Sequence, residues 1–284
     1  MMSFQERFIS ASDGLKLYVR DYRPKQIEGR TVLCLSGLTR NSQDFDQIAD
    51  VMCQRGHRVV TLDYRGRGRS DYDPDGQNYA PMTYVSDIFN VASALGLHHV
   101  VFLGTSLGGL LSMAMCVVAP SLVHSVILND VGPDLDETGL AKIIAYTSDD
   151  RAVSDLEGAV EKLKSHYQDE LSFDDKDWHT IAKKTYKLVD GRYIPNWDVK
   201  IAENLKADRG KEERKDLWPY FHALGLRKVL VLRGEVSSVF KKETYEKMLA
   251  SLDNISGLEV ANVGHAPTLE EDSAEQAILE FISS

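Results

Sequence analysis

Runs of strand-forming apolar residues recur along the chain, each ending in a polar or glycine-containing loop and followed by a segment with helical spacing. Thr31-Val32-Leu33-Cys34-Leu35, His57 to Asp63, Val100 to Leu103, Val123 to Asn129, Arg227 to Arg233 and Gly257 to Asn262 read as strands, several of them apolar enough to be buried on both faces. The helical segments are Gln43 to Arg55, Thr83 to Leu97, the apolar stretch from Leu110 to Cys116, Lys241 to Leu252 and Ser273 to Ile282. In the first of these Phe45, Ile48, Val51 and Met52 share a face, Ser42 is the N-cap and Gly56 the stop; Thr83 caps the second. Two extended runs between Phe4 and Arg20, broken by Asp13-Gly14, predict an antiparallel hairpin at the start. Strands alternating with helices predict a mostly parallel sheet covered on both faces, with the loops after the strands converging on one edge.

The alternation stops at Asp134 and resumes near Leu226. Between them the pattern is helical, amphipathic and highly charged, and all three tryptophans fall here. Helices are predicted at Thr138–Thr147, Leu156–Asp169, Asp174–Leu188 (with Ser172 near its N-cap) and Asp216–Leu224. The expected organisation is therefore a core of residues 1–133 and 227–284 interrupted by a module at 134–226.

The sharpest local signal is Gly104-Thr105-Ser106-Leu107-Gly108, where a buried strand gives way directly to a buried helix. A serine between glycines is often only a turn or a helix cap. Here the flanking glycines remove the Cβ atoms that would clash in so tight a bend, and the strand before and helix after supply the context of a nucleophile elbow. Ser106 would stand at the tip, with the Leu107 N–H at a helix N-terminus suited to a developing oxyanion. The Ser36-Gly37-Leu38-Thr39-Arg40-Asn41 loop after the first central strand is the source of a second oxyanion donor, the Leu38 N–H.

A serine nucleophile needs a base, and the base needs an orienting group. Of eight histidines, His57, His98, His99 and His124 lie where strands begin, and His166, His179 and His222 lie in the inserted module. His265 follows a strand's end in the short loop Val263-Gly264-His265-Ala266-Pro267 and is the candidate base. The loop Tyr64-Arg65-Gly66-Arg67-Gly68-Arg69-Ser70-Asp71 alternates glycine with arginine; with Asp63, Asp71, Asp73 and Asp75 around it, it reads as a locally paired surface loop without chemistry.

Charge narrows the partners. A net charge of −10 disfavours nucleic acid and anionic membranes, both of which require a basic face. Cys34, Cys53 and Cys116 sit in apolar segments with neither CxxC pairing nor a nearby ligating histidine, as expected of buried thiols in a reducing compartment. No signal-peptide pattern and no apolar run of ~18 residues is present, so the expected location is cytoplasmic. No metal or organic cofactor is called for.

Taken together, the elbow Gly104–Gly108, the Ser36-Gly37 loop, the Asp63-Tyr64-Arg65-Gly66-Arg67-Gly68-Arg69-Ser70 segment, Gly264-His265 and the order serine before histidine resemble the α/β-hydrolase fold family over nearly the whole chain. The resemblance implies that the 134–226 module is a helical cap domain over the site. It also implies a carboxylate after the post-cap strand, where Arg233-Gly234-Glu235-Val236-Ser237-Ser238 places Ser238 instead. Two acids can substitute: Asp130, at the end of the preceding strand, and Glu235. Asp130 is preferred because its strand neighbours the nucleophile strand and its loop faces the same crevice; the alternatives are that Asp130 merely caps a turn, or that Ser238 marks a weakened triad.

The expected activity is a serine hydrolase acting on an ester or similarly activated carbonyl of a small molecule. Ser106 would attack, His265 would carry the proton and Asp130 would orient His265. A serine at 106 disfavours the family's branches that use a carboxylate nucleophile. Ser36 stands where the family often has histidine, and Arg40 is a candidate for binding a substrate carboxylate, against a surface ion pair. Carbon–carbon bond hydrolysis by the same triad and non-catalytic ligand binding are the alternative functions.

Overall fold

The Asp13-Gly14 break is a hairpin turn in the computed structural model, which describes residues 4–134, 137–167, 175–209 and 216–284. Strands β1 (Phe4–Ser10) and β2 (Lys16–Tyr22) pair antiparallel, and Gly14 takes φ +89° between them. The apolar runs become β3 (Val32–Leu35), β4 (Val59–Leu62), β5 (Val100–Thr105), β6 (Val123–Asn129), β9 (Val229–Gly234) and β10 (Ile255–Val260). With β1 and β2 they form an eight-stranded sheet in the order β1-β2-β4-β3-β5-β6-β9-β10. Only β2 runs against the other strands.

Helices cover both faces, as strands buried on both sides require. Helices α1 (Asp46–Gln54) and α10 (Asp272–Ser283) pack Ile48, Met52, Ile278 and Ile282 on one face. Helices α2 (Pro81–Ala94), α3 (Leu107–Val118) and α9 (Lys242–Ser251) pack Ile88, Leu111 and Met248 on the other. Each fully buried aliphatic side chain of this kind contributes about 1.5–3 kcal/mol. Cys34, Cys53 and Cys116 are free and buried. No helix among the described residues is long and apolar enough to cross a membrane.

After β6 the chain leaves the sheet and returns at β9. The intervening stretch contains α4 (Glu137–Thr147), α5 (Leu156–Tyr167), α6 (Asp175–Thr185), α7 (Ile201–Arg209), α8 (Trp218–His222) and a hairpin of β7 (Tyr186–Val189) with β8 (Arg192–Pro195). The hairpin corrects the expected helix Asp174–Leu188, which ends at Thr185. Asp190 and Gly191 both take positive φ, +47° and +75°, the pair of conformations a two-residue hairpin turn needs. Helix α7 was not expected at all, and Ser172, Gln168 and Asp169 lie outside the described residues.

Two helix starts also differ. Asn41, not Ser42, caps a 3-10 turn (Ser42–Phe45) that precedes α1. Helix α2 begins two residues before Thr83 because Pro81, whose ring presets a helical φ and whose missing N–H is not needed there, occupies its first turn.

The largest correction concerns the glycine–arginine loop after β4. Arg65 and Arg67 are 1% and 0% exposed, so the segment is no surface loop. Arg65 is paired as expected with Asp73, but also with Asp87 through two 2.7 Å bonds and with Asp13. Arg69 alone is half-exposed, paired with Glu6.

Candidate active site

The bend after β5 is made possible by the absence of side chains. A Cβ at Gly104 would lie 2.4 Å from the Gly108 carbonyl carbon, and one at Gly108 would lie 2.0 Å from the Leu35 carbonyl oxygen. With both gone, α3 starts directly against β3 and β5, and Ser106 is left at the tip with φ 51° and ψ −115°. A non-glycine residue in that region is strained, and it persists because its surroundings hold it. The Ser106 N–H donates to the Asn129 carbonyl at 2.9 Å. The Asn129 side-chain amide in turn donates to Thr105 Oγ1 (3.0 Å) and to the Pro267 carbonyl (2.9 Å), tying the elbow to the loop that carries His265.

His265 bridges the two other candidates. Its Nε2 lies 3.0 Å from Ser106 Oγ and its Nδ1 lies 2.7 Å from Asp130 Oδ2. Asp130 is fully buried, and both its oxygens have further donors: Oδ1 accepts the Gly234 N–H at 2.8 Å and Oδ2 accepts the Ser237 hydroxyl at 2.6 Å. Ser237 Oγ itself faces the Val239 and Phe240 N–H groups, at 3.3 and 3.1 Å, so its own hydrogen is directed at the carboxylate.

The structure thus brings Ser106, His265 and Asp130 into one chain of hydrogen bonds. Glu235 is exposed and turned away, accepting the Asn262 N–H at 2.9 Å. Sequence reasoning missed Ser237 and Asn129. Ser237 stands one residue before the position singled out for the acid, and Asn129 was visible only as a strand end.

Above Ser106 lies a cavity of about 460 Å³. Its floor is the Gly37–Arg40 loop, Thr105, Ser106 and the 263–271 loop; its walls are side chains of α4, α5 and α6, among them Tyr146, Leu163 and Trp178. Leu38 lines this cavity, while Leu107 follows Ser106 as the first residue of α3. Gly37 abuts the nucleophile, since a Cβ there would be 3.8 Å from that of Ser106.

Arg40 also lines the cavity, but its donors are engaged. Nε and Nη2 bind Asp44 at 2.8 and 2.5 Å, and Nη1 binds Thr185 Oγ1. Arg40 thus faces the cavity while held in an i,i+4 ion pair with Asp44. The described lining carries Arg40 and Lys184 against Asp44, Asp177, Glu270 and Glu271. Burial, followed by the charges of Glu271, Asp177 and Asp44, raises the Glu270 carboxyl above its usual range despite Lys184 nearby. Burial likewise pushes the Tyr146 phenol well above its ordinary value, so it is a neutral group at the wall.

A sequence profile of the α/β-hydrolase fold matches residues 30–272. The 3-hydroxybutyrate-oligomer hydrolase of Cupriavidus necator (strain ATCC 17699 / DSM 428 / KCTC 22496 / NCIMB 10442 / H16 / Stanier 337) is 32% identical over 256 residues, 88% of this chain and 86% of that protein. An α/β hydrolase from Novosphingobium aromaticivorans DSM 12444, solved crystallographically, superposes with a TM-score of 0.93 at 37% identity, over 100% of this chain and 99% of its own. E-2-(acetamidomethylene)succinate hydrolase shares the fold, with a TM-score of 0.84 at 23% identity over 99% of this chain and 100% of its own. The sheet order, the glycine-flanked elbow and these similarities agree: the chain belongs to the α/β-hydrolase fold family.

Proposed function

We propose that this hydrolase is a serine enzyme that cleaves an ester, or a similarly activated carbonyl, of a small molecule through a covalent acyl-enzyme. The observation that carries this reading is His265 seated between Ser106 Oγ at 3.0 Å and Asp130 Oδ2 at 2.7 Å. A serine hydroxyl attacks only if its proton is taken as it does so. Nε2 accepts that proton, and the buried carboxylate on Nδ1 holds the ring in the tautomer that leaves Nε2 free to accept. The Leu38 and Leu107 amides receive the oxyanion of the tetrahedral intermediate. His265 then returns the proton to the leaving alcohol, and water enters by the same route to release the acid.

The 134–226 segment serves as the cap. Its helices contribute Tyr146, Leu163, Trp178 and Ile181 to the cavity wall, so they set which acyl group fits. A cavity of about 460 Å³ is the size of a small-molecule site. The similarity to a 3-hydroxybutyrate-oligomer hydrolase points to short hydroxy-acid esters, since the units of such an oligomer are joined by the bond this site is suited to break.

A fluorophosphonate probe tests the reading. Wild type should label promptly and Ser106→Ala should not; an inert wild type sinks it in favour of ligand binding without catalysis. A series of p-nitrophenyl esters and 3-hydroxybutyrate dimers then tests the substrate class. Labelling without turnover of any ester would move the assignment to carbon–carbon bond cleavage.

A further inference from the structure

The arginine at the centre of the glycine–arginine loop has no part in the reaction described so far. Arg67 is 0% exposed, and among the described residues no carboxylate pairs with it, whereas Arg65 two residues earlier meets three. The Arg67 guanidinium packs instead on the rings of Tyr84, Tyr64 and Tyr79, at 4.7, 5.6 and 6.0 Å from their centroids. Nη1 donates to the Arg65 carbonyl (2.9 Å) and the Tyr84 hydroxyl (2.7 Å), and Nη2 has no partner among the described residues. Burial raises all three tyrosine hydroxyls above their ordinary range, so none of them ionises to pair with the cation, and the Asp198 carboxylate accepts from the Tyr79 hydroxyl at 2.7 Å rather than from Arg67. A buried guanidinium with no directly paired carboxylate is costly, and a methionine or phenylalanine would fill the same space between three rings.

The remaining donor shows what the charge faces. Nε donates to the Leu38 carbonyl at 2.7 Å, on the loop whose Gly37 abuts Ser106. The loop of Arg67 is itself anchored from the other side. Gly68 N–H donates to the Asn196 carbonyl at 2.9 Å and Asp198 N–H to the Gly66 carbonyl at 2.7 Å. Trp197, bridged to Arg67, donates its indole N–H to the carbonyl of Thr147 in the cavity wall at 3.0 Å. Arg67 therefore stands between the cap and the oxyanion loop, braced by both.

We propose that Arg67 is a positioning residue of the oxyanion hole: it clamps the Leu38 carbonyl so that the loop presents its amide to Ser106, and it holds a fixed positive charge behind the place where negative charge develops. The proposal rests on the reading of Ser106 as nucleophile. A preorganised charge that water cannot screen stabilises the transition state more than the ground state. Its loss should appear in kcat and in the affinity of a tetrahedral-adduct inhibitor, not in KM.

The test compares wild type with Arg67→Met, Arg67→Gln and Arg67→Lys, using p-nitrophenyl butyrate and an alkyl trifluoromethyl ketone, with kcat expressed per site titrated by fluorophosphonate. Arg67→Met should lower kcat about 30-fold with KM within about twofold, and weaken the ketone by the same factor, short of the loss seen when an oxyanion donor itself is removed. Arg67→Lys should regain about tenfold of this, and Arg67→Gln, a donor without charge, should resemble Met. A Met or Gln variant with kcat and ketone affinity within twofold of wild type overturns the proposal, as does a loss confined to KM. Should Arg67→Met fail to fold, Tyr84→Phe removes the hydroxyl that braces Nη1 and should weaken kcat and ketone affinity together by about threefold; no change in either overturns the proposal equally. A wild type that neither turns over nor binds the ketone overturns the serine reading and this one together.

Discussion

Asp130→Asn changes one atom of a fully buried side chain and reverses the hydrogen bond on which His265 depends. In the native protein Oδ1 accepts from the Gly234 N–H at 2.8 Å, and Oδ2 accepts from His265 Nδ1 at 2.7 Å. The Gly234 N–H can only donate, so the asparagine amide oxygen must face it; the opposite rotamer would set two buried donors against each other. The NH2 group then points at His265 and donates to Nδ1. The ring proton moves to Nε2, which lies 3.0 Å from Ser106 Oγ and can no longer accept from it. By analogy with the same substitution in serine proteases, kcat/KM should fall about 10³- to 10⁴-fold, or about 4–5 kcal/mol of transition-state stabilisation. Glu235→Gln is the control. Glu235 is exposed and accepts a backbone N–H that a glutamine amide oxygen can accept as well, so its kcat/KM should stay within about twofold. The assay is steady-state hydrolysis of p-nitrophenyl butyrate, normalised to titrated sites. The reasoning fails if Asp130→Asn keeps a tenth or more of its activity while Glu235→Gln loses most of its own.

Three further outcomes follow from contacts around the site and in the core. Ser237→Ala removes the hydroxyl 2.6 Å from Asp130 Oδ2 and should lower kcat about tenfold at constant KM, with Ser237→Thr restoring most of it; an alanine variant with unchanged kcat would remove Ser237 from the argument. Arg65→Met leaves the Asp87 and Asp73 side chains, 1% and 6% exposed, without their cation, and should cost about 3–5 kcal/mol in urea unfolding; a change under about 1 kcal/mol would show that the carboxylates find other partners. For His124, burial and then the charges of Arg30, His99 and Lys228 lower the imidazole below its ordinary 6.5. The folded state therefore binds its proton less well than the unfolded chain, and the stability it contributes is present above 6.5 and lost as pH falls. The fall in Tm between about pH 8 and about pH 5.5 should be smaller in His124→Gln than in wild type, and an equal fall would contradict the sign.

What the chain discloses before folding depends on how far apart the interacting residues are. The elbow is legible because its requirements are local: a strand, two glycines whose Cβ atoms would collide, and a helix, all within a dozen residues. The position of His265 is legible because parallel strands send their C-terminal loops to one edge. The preference for Asp130 over Glu235 rested on strand adjacency, and β6 does lie beside β5 in the sheet. The arginine loop misled for the opposite reason. Its sequence neighbours Asp63, Asp71 and Asp75 suggested pairing at the surface, but the groups that bury it, Asp87 against Arg65 and Tyr84 against Arg67, come from α2. The β7–β8 hairpin had a local signal in Asp190-Gly191, obscured by the helical spacing before it. Ser237 had none, since only the folded loop turns one of two adjacent serines inward.

That pair of serines bears on why the acid sits where it does. Strands β6 and β9 are parallel neighbours, with Asn129 opposite Leu232, and the Asp130 N–H donates to the Leu232 carbonyl at 2.8 Å. The end of β6 and the loop after β9 therefore converge on one point beside His265, and an acid from either would arrive there. A single imidazole has use for one carboxylate. A second, within hydrogen-bond distance of the first in a site this buried, would face a like charge with little solvent to screen it, and one of the two would be driven to hold a proton. With Asp130 supplying the charge, what the β9 loop can usefully add is a donor. It adds two, the Gly234 N–H and the Ser237 hydroxyl, which hold the carboxylate on both oxygens. Ser238, the position where the family resemblance implies the acid, is exposed. On the proposed reading of Asp130 as the acid, Ser237 is the complement of a carboxylate carried on the neighbouring strand, and an aspartate after β9 is not required.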